Sequence, residues 1–111
     1  MHMAKRYNLG AATAIPHGEG RNYKVGNQLV AVFHTRDGSW YATQATCPHR
    51  QGPLADGLTG GNTLVCPLHE WTFDLTTGKA QNGSCNLAVY PIARAPSGEL
   101  LLDLPGEHDT N

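Results

Sequence analysis

Four side chains able to bind a metal lie in two short stretches: Cys47 and His49 as Cys-x-His, then Cys66 and His69 as Cys-x-x-His, with sixteen residues between His49 and Cys66. Two thiolates and two imidazoles can hold a zinc ion, or a [2Fe–2S] cluster with both imidazoles on one iron. Zinc knuckles usually space each ligand pair by two or more residues, so that the turn can wrap a single ion. A Cys-x-His pair is too close for that turn, yet it can reach across two irons, the thiolate on one and the imidazole on the other. No nucleophile–base constellation and no open metal position accompanies these residues, so the sequence predicts no catalytic residue.

Such ligands need a rigid support, and the residues around them pattern as strands. Trp40–Gln44 delivers the chain to Cys47, Thr63–Val65 runs into Cys66, and residues 71–74 lead away from the second pair. Residues 28–35 are apolar on both faces at their centre, which suits a buried strand. Asp37-Gly38 supplies the positive φ of a hairpin turn between that strand and Trp40. Residues 7–11 and 21–25 pattern as shorter strands. Residues 53–57 suit a single helical turn, and Gly60-Gly61-Asn62 a tight turn. Residues 88–94 and 99–104 form a closing hairpin around Pro96-Ser97-Gly98. No stretch of ten or more residues keeps a helical period, so the expected class is all-β. Residues 1–6 and 105–111 are expected to be loose ends.

With their flanks included, the four ligands resemble the signature of Rieske proteins, Cys-x-His-x16-Cys-x-x-His. Gly52-Pro53-Leu54 follows the first pair and Phe73-Asp74-Leu75-Thr76-Thr77-Gly78 the second, and the similarity runs from about Tyr7 to Leu104. The resemblance implies a Rieske fold: an antiparallel β-sandwich base with a small cluster-binding subdomain inserted at about residues 46–71, residues 1–111 forming a single domain. It implies one [2Fe–2S] cluster, with Cys47 and Cys66 on the inner iron and His49 and His69 on the outer one. Arg50 and Gln51 are expected to offer backbone donors to the cluster sulfur. Pro53 and Leu54 are expected to form an apolar docking rim, Leu54 above all, Trp71 either to join that rim or to pack under its loop, and Glu70 to place negative charge beside His69. High-potential relatives carry two bridging cysteines and a serine and tyrosine that donate to the sulfurs; here Gly52, Leu68, Trp71 and Phe73 stand at those positions. With fewer donors the reduced state is less stabilised, and the expected potential lies near the low end, about −150 mV.

Within that family two single-domain classes compete. Cys66-Pro67-Leu68-His69-Glu70-Trp71, and Asn82-Gly83-Ser84-Cys85 followed by Tyr90-Pro91-Ile92, are more similar to the small subunit of NAD(P)H-dependent assimilatory nitrite reductase. Its partner is a large subunit carrying FAD, sirohaem and a [4Fe–4S] cluster, and the reaction turns nitrite into ammonia. The alternative is the ferredoxin of an aromatic-ring dioxygenase, working between a reductase and a terminal oxygenase. A reading of another class is a zinc-binding assembly module without redox function.

Size and charge fit one small domain and no polyanionic partner. The chain has 111 residues and a net charge of −1, so neither nucleic acid nor an anionic membrane is indicated. No apolar run follows the first charged residues, and no stretch approaches the length of a membrane span. With three cysteines, two of them assigned to the cluster, no disulfide framework is expected, and Cys85 is expected to pack as a small apolar residue. The expected location is the cytoplasm. His2, His17, His34 and His108 lack ligand spacing and are expected in loops or at the surface. Asp74 is expected to cap the turn at Thr76-Thr77-Gly78.

Overall fold

The pleat of residues 28–34 dictates the layering. Val30 and Val32 point to one side and Ala31 and Phe33 to the other, and all four are fully buried, so the strand needs cover on both faces. The computed structural model, which describes residues 5–46, 53–66, 72–81 and 86–104, supplies that cover with two further sheets. The strands are β1 (Lys5–Ala11), β2 (Glu19–Val25), β3 (Gln28–His34), β4 (Trp40–Gln44), β5 (Leu58–Gly60), β6 (Thr63–Val65), β7 (Thr72–Asp74), β8 (Val89–Tyr90), β9 (Ile92–Arg94) and β10 (Glu99–Leu104). All pair antiparallel, in the orders β2-β3-β4-β8, β1-β10-β9 and β5-β6-β7. Only 3-10 turns, Ala12–Ala14 and Leu54–Asp56, interrupt them among the described residues.

The central sheet is β2-β3-β4-β8. On one face Val30, Val32 and Ala42 meet Leu100, Leu102 and Leu104 of β10, which forms the sandwich. On the other, Ala31 and Phe33 meet Leu54, Leu64, Phe73 and Leu75 from the Leu54–Asp56 turn and the small sheet. The β3–β4 turn is fixed by Asp37, whose Oδ1 accepts from the Thr35 hydroxyl at 2.5 Å and the Ser39 N–H at 3.1 Å. Gly38, at φ +91°, takes the left-handed position there.

Several elements differ from expectation. Residues 88–94 are two strands that enter different sheets, β8 beside β4 and β9 beside β10. Pro91 stands between them; it has no N–H to give a ladder, though its carbonyl still accepts from the Asp103 N–H at 3.0 Å. β1 begins at Lys5, inside the expected loose end, because β10 offers it a partner from Leu104 onward and Arg6 meets Asp103 at 2.8 Å. The small sheet gains β5, which reaches into the turn expected at Gly60, while β6 and β7 stand where strands were expected.

Candidate metal centre

Cys66 follows directly on β6, and the period of that strand decides where it goes. Leu64 points into the core, Val65 does not, and Cys66 points in again at 1% exposure. Beyond it, Val65 pairs with Thr72, so β6 and β7 close the stretch 66–71 at its base. The first stretch is closed in the same way. Thr46 bridges Pro53, the Leu54 N–H donates to the Ala45 carbonyl at 3.0 Å, and the Gln44 side-chain amide donates to the Thr46 carbonyl at 2.8 Å.

One apolar cluster ties the two bases together: Leu54, Leu64, Cys66 and Phe73 all belong to it. The approach is tight enough that a Cβ on Gly57 would collide with the Val65 carbonyl oxygen. A third stretch is anchored beside them. Gln81 N–H donates to the Thr72 carbonyl at 2.8 Å, Ala80 N–H to the Asn86 side-chain carbonyl at 3.0 Å, and Leu87 N–H to the Gly78 carbonyl at 2.7 Å. Gly78 sits at φ +81°, and a Cβ there would run into the Leu87 carbonyl oxygen. Asp74 caps this turn as expected: its Oδ1 accepts from the Thr76 N–H at 2.8 Å and the Thr76 hydroxyl at 2.5 Å. Those two donors, the hydroxyl foremost, hold the Asp74 carboxyl below the usual aspartate range.

Of the expected ligands, Cys66 is described, whereas Cys47, His49 and His69 lie outside the described residues. So do Arg50, Gln51, Gly52, Leu68, Glu70, Trp71 and Cys85. Pro53 is exposed, as a rim residue should be. Leu54 requires a correction: it is fully buried and packs in the same cluster as Cys66, because the 3-10 turn rolls its side chain under the stem instead of outward. Its side chain is therefore not exposed for a docking rim. The donor chemistry suits the implied cluster. A thiol buried among apolar side chains resists ionisation unless a metal takes the thiolate, and two stems closed on one core can bring ligands to it from both sides.

His34 also departs from expectation. It lies in the expected strand, β3, but is half-buried rather than at the surface, with Nδ1 donating to the Ile15 carbonyl at 2.9 Å. Its ring stacks on Trp40 at 3.8 Å and 9°, and His17 lies at 4.0 Å. Ligand spacing could not reveal this; the signal was the β3–β4 register, which sets His34 opposite Trp40. Among the described residues no group of three or more metal-binding side chains comes together. No helix among them is long and apolar enough to cross a membrane.

Comparison with known proteins agrees with this geometry. Residues 5–92 match the Rieske [2Fe-2S] domain. The chain is 34% identical over 94 residues to Nitrite reductase [NAD(P)H] of Emericella nidulans, a match covering 76% of this chain and 8% of that much longer protein. It is 30% identical over 92 residues to the ferredoxin component of the naphthalene 1,2-dioxygenase system of Pseudomonas aeruginosa, covering 81% of this chain and 86% of the relative. In fold it superposes, at a TM-score of 0.85 and 20% identity, on a Mycobacterium tuberculosis chain described as an NADH-dependent nitrite reductase small subunit, covering 92% of this chain and 96% of that one. The buried cysteine at the end of β6, the paired stems and the match over most of the chain place it in the Rieske [2Fe-2S] domain family, electron-transfer proteins carrying one such cluster.

Proposed function

We propose that Cys47, His49, Cys66 and His69 hold the cluster, and that the protein is the electron-transfer small subunit of a cytoplasmic NAD(P)H-dependent nitrite reductase. The ligand assignment is supported above all by Cys66, buried at 1% exposure on the core that also holds Leu54, which follows the first ligand pair in the chain. A bound [2Fe–2S] cluster accepts and returns one electron without making or breaking a bond to substrate. The chain's own residues position it. β4 and the Thr46–Pro53 bridge would present one ligand pair, and the β6–β7 ladder would present the other. Leu54, Leu64 and Phe73 keep water from the Cys66 side. Phe73 brings no hydroxyl to that side, which favours a low potential.

The nitrite reductase reading draws on the 34% identity over 94 residues with a fungal enzyme of that name. A second reading, the ferredoxin of an aromatic-ring dioxygenase, draws on a relative matched over 86% of its own length. The zinc-module alternative gives way to the family's cluster.

Three measurements test the proposal. Anaerobically purified protein should contain two irons and two acid-labile sulfides per chain, with the low average g-value of a histidine-ligated cluster. Cys66→Ser should abolish the cluster's visible absorption, and retention of a full spectrum would overturn the ligand assignment. Reconstitution then separates the partners. Association with a nitrite reductase large subunit and electron flow through it support the first reading. Electron delivery from a dioxygenase reductase to its terminal oxygenase, without that association, supports the second.

A further inference from the structure

At the far end of β4 from residue 47 lies a cavity of about 450 Å³ that neither the cluster nor its stems require. Its wall is a pile of three rings. The β3–β4 register sets His34 against Trp40, nearly parallel at 9° and 3.8 Å, and the His17 ring lies 4.0 Å from that of His34, tilted by 33°. The wall is held in place, because Nδ1 of His34 donates to the Ile15 carbonyl. Ala12 and Ile15, both buried, add an apolar floor, and Arg94 reaches the cavity from β9.

The charge around this cavity is one-sided. Among the described residues no carboxylate lines it. Glu19 pairs with His34 across the β2–β3 ladder, but its carboxylate is taken by Arg21 at 2.9 Å. Asp37, in the adjacent turn, is taken by Thr35 and Ser39. Among the described residues the ion pairs are Arg6–Asp103 and Arg21–Glu19, so Arg94 has no carboxylate partner. Arg36 adds a second cation near His17, its Nε lying 3.5 Å from where a Cβ on Gly18 would stand.

Flat rings on one side, an apolar floor and an uncompensated guanidinium are complementary to a planar ring bearing a negative charge. The volume falls within the range of about 300–1,000 Å³ usual for small-molecule sites. We propose that this cavity binds an aromatic carboxylate of one or two rings, its ring against the His17–His34–Trp40 pile and its carboxylate on Arg94. Trp40 and Gln44, the two ends of β4, lie about 13 Å apart at the usual strand rise, and Cys47 follows beyond Gln44, so an occupant stays clear of the cluster end. The site is independent of which redox partner the protein serves.

The probe is 2-naphthoate, titrated into the cluster-loaded protein and followed by calorimetry and by the NMR signal of the Trp40 indole N–H. Expected is one site per chain, with the Trp40 signal shifting along the same isotherm and the cluster's visible spectrum unchanged. Arg94→Gln should weaken 2-naphthoate about tenfold or more, the usual scale for losing a charge-assisted contact, and leave the uncharged 2-naphthamide unaffected. His17→Ala, a change at an exposed loop residue, should weaken both probes. The proposal is overturned if 2-naphthoate fails to bind at millimolar concentration, if Arg94→Gln binds it as well as the unaltered protein does, or if the cluster's absorption changes with the same isotherm.

Discussion

Replacing Leu54 by alanine separates two roles that are indistinguishable in the sequence, a docking contact and a buried support. The side chain is fully buried and packs with Leu64, Cys66 and Phe73. Removing it leaves a cavity among Leu64, Cys66 and Phe73. Fully buried Leu→Ala changes destabilise by about 2.7–5 kcal/mol. We take about 3 kcal/mol, because the neighbouring 3-10 turn is short and able to relax partly. At about 4 °C per kcal/mol for a domain of this size, the unfolding midpoint should fall by about 12 °C. A rim residue would change it by no more than about 2 °C, since surface substitutions stay within about 0.5 kcal/mol. The assay is far-UV circular dichroism of the cluster-loaded protein under argon at one fixed scan rate, since loss of a metal group makes such transitions rate-dependent. Leu54→Met preserves the volume and should cost less than about 1.5 kcal/mol. A midpoint for Leu54→Ala within 2 °C of the unaltered protein, together with weakened partner binding, would refute the supporting role and restore Leu54 to the rim.

Phe73→Tyr brings a hydroxyl into the cluster of side chains that contains Cys66; a donor worth about 1 kcal/mol to the reduced state should raise the midpoint potential by about 40 mV in voltammetry. An unchanged or lower potential would show that the ring edge does not face the redox centre. Gly78→Ala should destabilise by about 2–4 kcal/mol in a urea titration, combining the left-handed backbone at φ +81° with the collision at the Leu87 carbonyl; a loss below 1 kcal/mol would contradict that fit. Asp37, Asp74 and Asp103 each have a carboxyl held below the ordinary aspartate range, by Thr35, Thr76 and Arg6 respectively. A lowered folded-state value contributes stability above the unfolded aspartate range, near pH 4, and that contribution is lost as pH falls through the folded values. The melting temperature should therefore drop on the acid side, and Asp74→Asn should shallow that drop; an acid profile that Asp74→Asn leaves unaltered would remove the capped turn from the explanation.

The parts of the fold that were legible in the sequence are those whose local pattern admits one solution. β3 declared itself because both of its faces are apolar, and the structure uses both: Val30 and Val32 for the sandwich, Ala31 and Phe33 for the small sheet. The Asp37-Gly38 turn and Trp40–Gln44 were legible for the same reason, a local chemistry with one solution. The strand β5 was hidden because Leu58–Gly60 holds too little pattern to stand out from a glycine-rich turn, and only pairing with β6 makes it a strand. Residues 88–94 misled because alternation reports extended backbone and says nothing about which sheet receives it. Pro91 was the signal, since a residue without an N–H breaks a ladder wherever the chain changes sheets.

At the site the difference between the legible and the hidden is one of dimension. Spacing along the chain identified Cys66 as a ligand candidate, and the alternation Leu64-in, Val65-out carries it to the buried side with no tertiary knowledge required. Leu54 was misplaced because a 3-10 turn of Leu54-Ala55-Asp56 has no period long enough to say which way its first side chain rolls. That choice was made by Leu64 and Phe73, which come later in the chain. The ring pile of His17, His34 and Trp40 was hidden more deeply. Val30, Val32 and His34 lie on one face of β3, and Ala42 and Trp40 answer them on β4, so the pile continues an apolar core row to its end. A search for metal-ligand spacing passes over histidines at positions 17 and 34, whereas the β3–β4 register brings His34 to Trp40 and the Gly18 N–H, donating to the His34 carbonyl at 2.6 Å, brings His17 beside them. Chemistry that arises from cross-strand neighbours is therefore read from pairing, and in a domain made of short strands pairing is the information that ligand motifs do not contain.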